Sequence, residues 1–314
     1  MRIWRYRNDA LPSPRVAVAV PGGGPLDLVV AWSLATGEDE VPPYLWSVAT
    51  LIEAGPEAWE AVRSLIAASP EEPTVWQGAP GFRWVCPLDR LASLRDFLAF
   101  ESHVRQGAER RGSEVPAYWY EAPVYYKGNH RRMIGPEETC PWPSYTTHLD
   151  FELEMAMIVG RPGTDIAVPD APGHIFGFSV LNDFSARDMQ AKEATTWLGP
   201  AKAKDFCTGL GPCIVTADEL GAQPDLAMAC RVNGEEWGRG RSSEARWSWA
   251  EMIAHVSAGE GVEAGDVYGS GTPGGCCGLD LGRRLAPGDV VELEIEGIGV
   301  LRNPVGAPMG ATGG

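Results

Sequence analysis

Basic residues are scarce in this chain. Its 314 residues include 26 Lys and Arg against 42 Asp and Glu, which gives a formal net charge of −16 at pH 7. So few cations offer little to a phosphate backbone or to an anionic membrane surface, and we expect neither a nucleic-acid partner nor a membrane partner. Solubility explains most of the acidic excess. The remaining functional interpretation is a small-molecule or metal partner.

Long apolar runs and paired cysteine motifs are also missing. No stretch approaches the roughly 18 apolar residues of a membrane helix, and the N-terminal segment Met-Arg-Ile-Trp-Arg-Tyr-Arg lacks the apolar core of a signal peptide. The seven cysteines form no Cys-x-x-Cys pair, so we predict reduced thiols and a cytoplasmic location. The adjacent Cys276 and Cys277 could form a soft-metal or redox site, but no His lies near them in the sequence, which favours a structural role.

Glycine and proline, by contrast, are abundant. The 38 Gly and 26 Pro residues predict many turns and short strands and argue against a long-helix bundle. The residue pattern predicts strands over 2–6, 15–20, 150–159, 175–182, 212–216, 226–232 and 289–301, and helices over 46–68, 91–112 and 247–257. We expect a small N-terminal domain over 1–90 and a strand-rich domain over 91–314, with a disordered tail over 306–314.

The segment Leu149-Asp-Phe-Glu-Leu-Glu-Met155 carries two neighbouring carboxylates. It alternates like a strand, so Glu152 and Glu154 share one face. Like charges so close together repel each other, and a divalent cation with oxygen ligands would offset the repulsion. An exposed acidic stripe is the alternative, and the strand seen alone favours it.

Polar residues after the apolar run 175–181 shift this balance towards a metal. Asp183 stands just past the run and could supply a third oxygen ligand, although a helix N-cap is the alternative. Arg187 offers a planar guanidinium to a carboxylate or an enolate. The Gly/Pro loop 199–206 carries lysines, and a lysine beside a carboxylate cluster can stabilise a developing oxyanion.

Two further segments carry candidate functional groups. On the helix predicted over 91–112, Asp96 and His103 are seven residues apart and share a face, as a metal ligand and a general base would. A structural His beside the apolar stripe is the alternative. The glycine-rich turn 265–275 exposes backbone N–H groups and the Thr272 hydroxyl, which suit a substrate carboxylate, although a multi-glycine hairpin explains it equally well.

In this order and spacing, the segments resemble the fumarylacetoacetate hydrolase superfamily over about residues 90–303. The resemblance rests on the Glu-x-Glu strand, the Asn-Asp-x-Ser-Ala-Arg-Asp-x-Gln segment at 182–190, the Gly-Pro-x-Lys loop at 199–202, and the Gly-Ser-Gly-Thr turn at 269–272 followed by Pro287-Gly-Asp289. It implies an α+β, mostly β fold, with a C-terminal domain of rolled mixed β-sheets and a small β-rich N-terminal domain. It also implies a homodimer that acts on a small oxoacid.

The resemblance assigns roles to matching positions. The ligands that it implies for Mg²⁺, or else Mn²⁺ or Ca²⁺, are Asp96, Glu152, Glu154 and Asp183. The implied catalytic residues are His103 as the base, Lys202 as the oxyanion donor with Lys204 as second choice, and Asp280 as the acid that orients His103, with Glu101 as its alternative. The implied substrate contacts are Tyr126, Arg187, Gln190 and Thr272.

The activity that the resemblance implies is metal-dependent hydrolysis of a carbon–carbon bond in a 1,3-dicarbonyl acid such as an acylpyruvate. The same metal–enolate chemistry serves decarboxylation, tautomerisation or hydration of a 2-oxo acid, and these reactions stay open as alternatives. A catalytically inert binding protein is the remaining alternative, and the retained carboxylates argue against it. Leu98 stands where fumarylacetoacetase has an aromatic hydroxyl, so the interpretation does not extend to fumarylacetoacetate itself.

Overall fold

A computed structural model describes residues 1–69 and 74–308 of the chain. The strands found there, numbered in chain order, are β1 Arg2–Arg7, β2 Arg15–Ala19, β3 Pro25–Asp27, β4 Arg83–Val85, β5 Ser93–Phe97, β6 Tyr125–Lys127, β7 Met133–Ile134, β8 Cys140–Trp142, β9 Leu149–Asp150, β10 Leu153–Val159, β11 Gly163–Thr164, β12 Ile175–Asn182, β13 Ser185–Ala186, β14 Thr208–Thr216, β15 Ala227–Val232, β16 Glu235–Arg241, β17 Gly261–Val262, β18 Asp266–Gly269, β19 Val290–Ile295 and β20 Gly299–Pro308.

The α-helices of the same residues are short, with one exception. They are α1 Leu28–Thr36, α2 Val48–Ala68, α3 Glu101–Arg111, α4 Arg187–Ala194, α5 Ala217–Leu220, α6 Trp249–Ser257 and α7 Gly278–Leu281. The long helix α2 is interrupted at Gly55, which has a φ of 78° and precedes Pro56. No helix in the described ranges is long and apolar enough to cross a membrane.

Two large sheets build the molecule. The larger one has eleven strands in the order β3-β2-β1-β14-β12-β10-β18-β5-β6, with β4 beside β1 and β7 beside β14. The smaller one has five strands in the order β16-β15-β19-β20-β8, and two short sheets pair β11 with β17 and β9 with β13. Parallel and antiparallel pairs occur side by side, as at β5-β18-β10. This architecture confirms the α+β, mostly β class.

The larger sheet is buried on both faces. In β10, Met155 and Met157 face a core that also holds side chains of the five-stranded sheet. Ala156 and Ile158 point the other way, into a second core formed with the N-terminal strands and helices. Full burial of a side chain the size of Met or Ile contributes about 1.5–3 kcal/mol to the free energy of folding. The site described below is therefore built on strands that packing holds from two sides.

The N-terminal strands belong to the same sheet as the C-terminal ones. β1 pairs antiparallel with β14, with Arg2 opposite Val215 and Ile3 opposite Ile214. Ile3 is fully buried in the core that Leu210 also enters. The strands predicted over 2–6 and 15–20 are thus present, while the domain boundary at residue 90 stays a prediction. Of the predicted tail, residues 306–308 end β20, and 309–314 lie outside the described residues.

The helix predicted over 91–112 is wrong in its first half. Residues Ser93–Phe97 form β5, which pairs parallel with β18 and antiparallel with β6, and the helix begins only at Glu101. Every residue from Leu94 to Phe97 is buried, and a strand buried on both faces does not show the alternation that identifies a strand in a sequence. The predicted strand over 289–301 is likewise two strands, β19 and the start of β20.

Candidate active site

Three buried carboxylates converge where neighbouring strands end. Asp96 lies in β5, Glu154 lies in β10, and Asp183 directly follows β12. One oxygen of each lies within 4.8 Å of the others, and we call these residues the carboxylate cluster. β18 runs between β5 and β10, and a Cβ at its Gly269 would lie 2.6 Å from Glu154 Oε2 and 2.7 Å from Asp96 Oδ1. Only glycine leaves room for the two carboxylates to meet.

The carboxylate cluster concentrates negative charge where water is excluded. Burial raises the pKa of Asp96 and of Glu154 well above the usual range, and the neighbouring carboxylates raise both further. Burial also raises the pKa of Asp183, against the attraction of Lys204. Within the described residues, the buried Oδ1 of Asp96 has no hydrogen-bond partner. An all-oxygen, like-charged set with an unpartnered oxygen fits a hard divalent cation such as Mg²⁺, Mn²⁺ or Ca²⁺.

Glu152 lies beside the cluster and is held by two cations. Lys204 Nζ is 2.7 Å from one of its oxygens and Arg187 Nη2 is 2.9 Å from the other. Burial alone would raise the pKa of Glu152, but the attraction of Arg187 and Lys204 outweighs burial and lowers it. Glu152 borders the same cavity as the cluster. The four predicted metal ligands therefore divide into a cluster of three and one carboxylate paired with cations.

The lysine at this cavity is Lys204, and the structure places Lys202 elsewhere. The Lys204 side chain is 3% exposed, pairs with Glu152 and Asp183, and lines the cavity. Lys202 is exposed, and its Nζ lies 5.4 Å from the ring centre of Tyr145. The chain turns between the two lysines, because the N–H of Lys204 donates to the carbonyl of Ala201. The structure thus brings Lys204, the second choice from the sequence for the oxyanion donor, to the cavity, and it places Lys202 on the exposed surface.

His103 and Asp280 form a hydrogen-bonded pair beside the cluster, the His–Asp pair. Nδ1 of His103 in α3 lies 2.8 Å from Oδ2 of Asp280 in α7. The other ring nitrogen, Nε2, lies 3.8 Å from Oε1 of Glu152, and His103 lines the cavity. Glu101, the alternative partner, instead forms an ion pair with Arg105. The structure therefore brings His103 together with Asp280.

Asp280 is held in its ionised form by several contacts. Its side chain is fully buried, Nη1 of Arg110 lies 2.9 Å from Oδ1, and the N–H of Gly275 donates to Oδ2 at 3.1 Å. Burial raises the pKa of Asp280, but the His103 hydrogen bond and the Arg110 charge outweigh burial and lower it. The carboxylate can therefore hold the His103 ring in one orientation at neutral pH.

Three of the four predicted substrate contacts line the cavity, which has a volume of about 250 Å³. They are Tyr126, Gln190 and Thr272. The Tyr126 hydroxyl donates to Oδ1 of Asp183 at 2.9 Å. Arg187 is not among the lining residues, because its guanidinium is buried against Glu152 and Asp150. Arg187 therefore supports the wall of the cavity.

Asp150 is a residue that the sequence interpretation missed. Its buried carboxylate accepts the Arg187 Nε–H at 2.8 Å and the backbone N–H groups of Gly278 and Leu279 at 2.8 and 2.9 Å. These contacts join the start of α7 to the guanidinium that holds Glu152. The available signal was the spacing, since residues 150, 152 and 154 share one face of the alternating segment.

The mostly β fold places the carboxylate cluster beside the His–Asp pair. Together, these features put the protein in the class of candidate metal-dependent enzymes. Residues 93–306 match the family model described as fumarylacetoacetate (FAA) hydrolase C-terminal. The chain belongs to the fumarylacetoacetate hydrolase family, which confirms the resemblance seen in its motifs.

Proteins that are similar to this chain differ in the reactions they are named for. The chain is 33% identical over 204 residues to oxaloacetate tautomerase YisK of Bacillus subtilis, an alignment that covers 65% of each protein. Fumarylacetoacetate hydrolase from psychrophilic Exiguobacterium antarcticum is similar with a TM-score of 0.70 at 26% identity, over 98% of this chain and 99% of that one. Fumarylpyruvate hydrolase from Pseudomonas aeruginosa, in complex with Mn²⁺ and pyruvate, has a TM-score of 0.60 at 23% identity, over 70% and 91%. The family model establishes the family, whereas the similar proteins are named for both tautomerisation and hydrolysis.

Proposed function

We propose that this protein is a divalent-metal-dependent tautomerase that interconverts the keto and enol forms of a short 2-oxo acid, with oxaloacetate as the first substrate to test. The observation that carries the proposal is the similarity to an oxaloacetate tautomerase, and the His–Asp pair supplies the proton-transfer group, because His103 lines the cavity onto which the carboxylate cluster opens. Similarity to an oxaloacetate tautomerase supports this reaction over the hydrolysis that the motifs implied. The aligned part is under two thirds of that relative, so its substrate is a starting point.

Asp96, Glu154 and Asp183 would hold the cation, and Mg²⁺ is our first choice among divalent ions. When bound, the cation supplies Lewis acidity towards the carbonyl oxygens of the oxoacid. The cluster suits this role because its ligands are all oxygens and because their repulsion calls for a positive charge. A protein of the same fold carries Mn²⁺ and pyruvate together, which makes Mn²⁺ the second ion to test.

His103 is the group that moves the proton. Nε2 accepts a proton from the carbon next to the ketone and returns it to the oxygen of the enol, so that one proton changes place and nothing else is consumed. Asp280 accepts the Nδ1–H hydrogen bond and stabilises the imidazolium that exists between the two transfers. Lys204 Nζ, charged and bordering the cavity, donates to the oxygen on which negative charge develops.

The test follows the enol of oxaloacetate directly. We expect the protein with Mg²⁺ to accelerate the loss of enol absorbance and to exchange the methylene protons for deuterium in D₂O, as seen by NMR. His103→Gln should lower this rate by about 10²–10⁴. Lys202→Ala is the matched control and should leave the rate unchanged. Enol decay and exchange equal to those in buffer alone would refute the proposal.

Carbon–carbon hydrolysis of an acylpyruvate is the second candidate, and the His–Asp pair is the observation that favours it. The same Nε2 could take a proton from water instead of from carbon. Incubation of acylpyruvates in ¹⁸O-labelled water separates the two reactions. Label in the released acid would show hydrolysis, whereas enol decay without cleavage supports the tautomerase.

A further inference from the structure

A second group of metal-ligating atoms lies around His103, distinct from the carboxylate cluster. His103, Cys277 and Asp280 each offer one ligand atom, and these three atoms lie within 4.8 Å of one another. The carboxylate cluster offers oxygens only, whereas this group offers nitrogen, sulfur and oxygen. A mixed set with a thiolate selects Zn²⁺ and similar transition metals, while Mg²⁺ and Ca²⁺ prefer oxygen.

We propose that His103, Cys277 and Asp280 form a Zn²⁺-type site through which a thiophilic transition-metal ion inhibits the enzyme. The sequence favoured a structural role for Cys277 because no His stood near it in the chain. The fold supplies that His from α3, since Cys277 directly precedes α7 and α7 packs its Asp280 against His103.

The geometry of the pair already approximates two coordination bonds. Nδ1 of His103 and Oδ2 of Asp280 are 2.8 Å apart. Two ligands of a tetrahedral ion, each about 2.0–2.1 Å from the metal, lie about half an ångström farther apart than this, so a small movement opens the position. Asp280 also pairs with Arg110, whose side chain is 34% exposed, so the guanidinium can move towards solvent when an ion binds.

Binding an ion here rearranges protons in a defined way. The thiol proton of Cys277 leaves to solvent, and the ion takes the place of the hydrogen between Nδ1 and Asp280. The single proton of the neutral imidazole then resides on Nε2, the nitrogen on the Glu152 side of the ring. An Nε2 that carries a proton cannot accept one from the substrate. Inhibition is therefore expected, and this part of the inference rests on the proposed function of His103.

Cobalt tests the site without reference to activity. We would titrate the full chain with Co²⁺ in excess Mg²⁺, so that Mg²⁺ competes for the all-oxygen cluster. A thiolate–Co²⁺ bond gives a near-ultraviolet charge-transfer band and a four-coordinate ion gives intense visible bands, whereas an all-oxygen site gives neither. Cys277→Ala should lose the near-ultraviolet band. Cys276→Ala is the matched control, an equally buried neighbour outside the group, and should keep it.

The effect of Zn²⁺ on enol decay then tests the expected inhibition. Zn²⁺ should inhibit enol decay in the wild type and in Cys276→Ala, and a chelator followed by Mg²⁺ should restore it. In Cys277→Ala the inhibitory Zn²⁺ concentration should rise by about tenfold or more, with the Zn²⁺-free rate unchanged. Cys277→Ser, nearly the same size, serves if the alanine variant does not fold.

Two outcomes would overturn the inference, and they are distinguishable from failure of the proposed function. A Co²⁺ spectrum without the thiolate band, or with a band that persists in Cys277→Ala and Cys277→Ser, overturns the site itself. A Cys277-dependent band together with enol decay that Zn²⁺ leaves unchanged overturns the inhibition and points to a wrong role for His103. Absence of any enol decay refutes the proposed function while the spectrum still decides the site.

Discussion

At the residue scale, Lys204 is the central cation of the cavity, because it connects the carboxylate cluster to Glu152. Its Nζ pairs with Glu152 at 2.7 Å and with Asp183. Burial lowers the pKa of Lys204, but the attraction of the two carboxylates outweighs burial and raises it, so the ammonium stays charged. The lysine both offsets buried negative charge and presents a donor to the cavity.

Lys204→Ala should lower kcat for enol decay by about 10²–10³, because a preorganised donor to the developing negative charge is lost. It should also lower Tm, since Glu152 and Asp183 lose a buried partner. The rates are compared at a temperature where circular dichroism shows both proteins folded. Lys202→Ala, two residues away and exposed, is the control for losing a lysine from this loop. Equal losses in the two variants would contradict the assignment.

Asp280→Asn should lower kcat by about 10²–10⁴ and leave KM nearly unchanged, because the amide cannot stabilise the imidazolium and can hold the wrong tautomer. Steady-state kinetics on the enol measures both constants. Glu101→Gln is the control, since Glu101 is the other acid near His103 in the sequence and pairs with Arg105 instead. A larger loss in Glu101→Gln than in Asp280→Asn would reverse the roles of the two acids.

Residues of the site differ in how well the sequence could predict their positions. Alternation placed Glu152 and Glu154 on one face, because strand geometry is regular. It could not show that Glu152 pairs with two cations beside the cluster, since those cations, Arg187 and Lys204, come from other segments of the chain. The two lysines of the loop 199–206 are a similar case, because Lys204 lines the cavity while Lys202 is exposed. In a tight turn, spacing says nothing about which side chain points inward.

At the element scale, α7 is the shortest helix of the site. It spans four residues, too few for an independently stable helix. Asp150 accepts the N–H groups of Gly278 and Leu279 at its start, and the same carboxylate holds Arg187. The position of Asp280 therefore depends on a strand residue that does not touch the cavity.

Asp150→Asn should loosen α7, because the amide loses the charge that holds Arg187 and presents one acceptor oxygen in place of two. Hydrogen exchange should become faster over residues 278–281, and kcat should fall more than KM rises, since the misplaced group is the partner of His103. Asp188→Asn is the matched control, because Asp188 accepts its hydrogen bonds from Thr146, Thr147 and Met189. Unchanged exchange over 278–281 would contradict the positioning role.

The segment 91–112, predicted as one helix, contains the strand β5 and the helix α3. In β5 and α3, helical spacing of apolar residues continues across the end of a strand and the start of a helix, so no local break is visible. Asp96 and His103 still reach one cavity, because the parallel β5–β18 pair places Asp96 opposite Gly269 and α3 follows within four residues. Asp96 and His103 thus line one cavity from a strand and a helix, and they do not share a helix face.

At the scale of the whole molecule, the N-terminal residues complete the sheet that carries the site. The β1–β14 pair joins segments more than 200 residues apart in the chain, and such pairing leaves no local signal in a sequence. The predicted boundary at residue 90 rests on the residue pattern along the chain, and that pattern does not report which strands share a sheet. The homodimer implied by the resemblance stays a prediction that sedimentation velocity can test.

The charge of the carboxylate cluster links the stability of the whole fold to pH and to metal. The raised pKa values of Asp96 and Glu154 mean that the folded protein binds protons more tightly than the unfolded chain does. Their stabilising contribution is therefore full below the unfolded pKa of about 4 and is lost as pH rises through the folded values. Glu152 acts oppositely, since its lowered pKa gives a contribution already complete above about pH 5 and constant in the neutral range.

Metal-free protein should therefore lose Tm as pH rises above about 4 and through the raised folded pKa values of Asp96 and Glu154, and excess Mg²⁺ or Mn²⁺ should restore it. The gain in Tm on adding metal should be larger at the higher pH, because the ion then neutralises charge that protons no longer neutralise. Scanning calorimetry in chelator and in excess metal measures both effects. Asp96→Asn removes one of the repelling charges, so its metal-free Tm should depend less on pH and its gain from metal should shrink. A metal gain that is independent of pH in the wild type, or larger at the lower pH, would mean that the ion does not bind where Asp96, Glu154 and Asp183 meet.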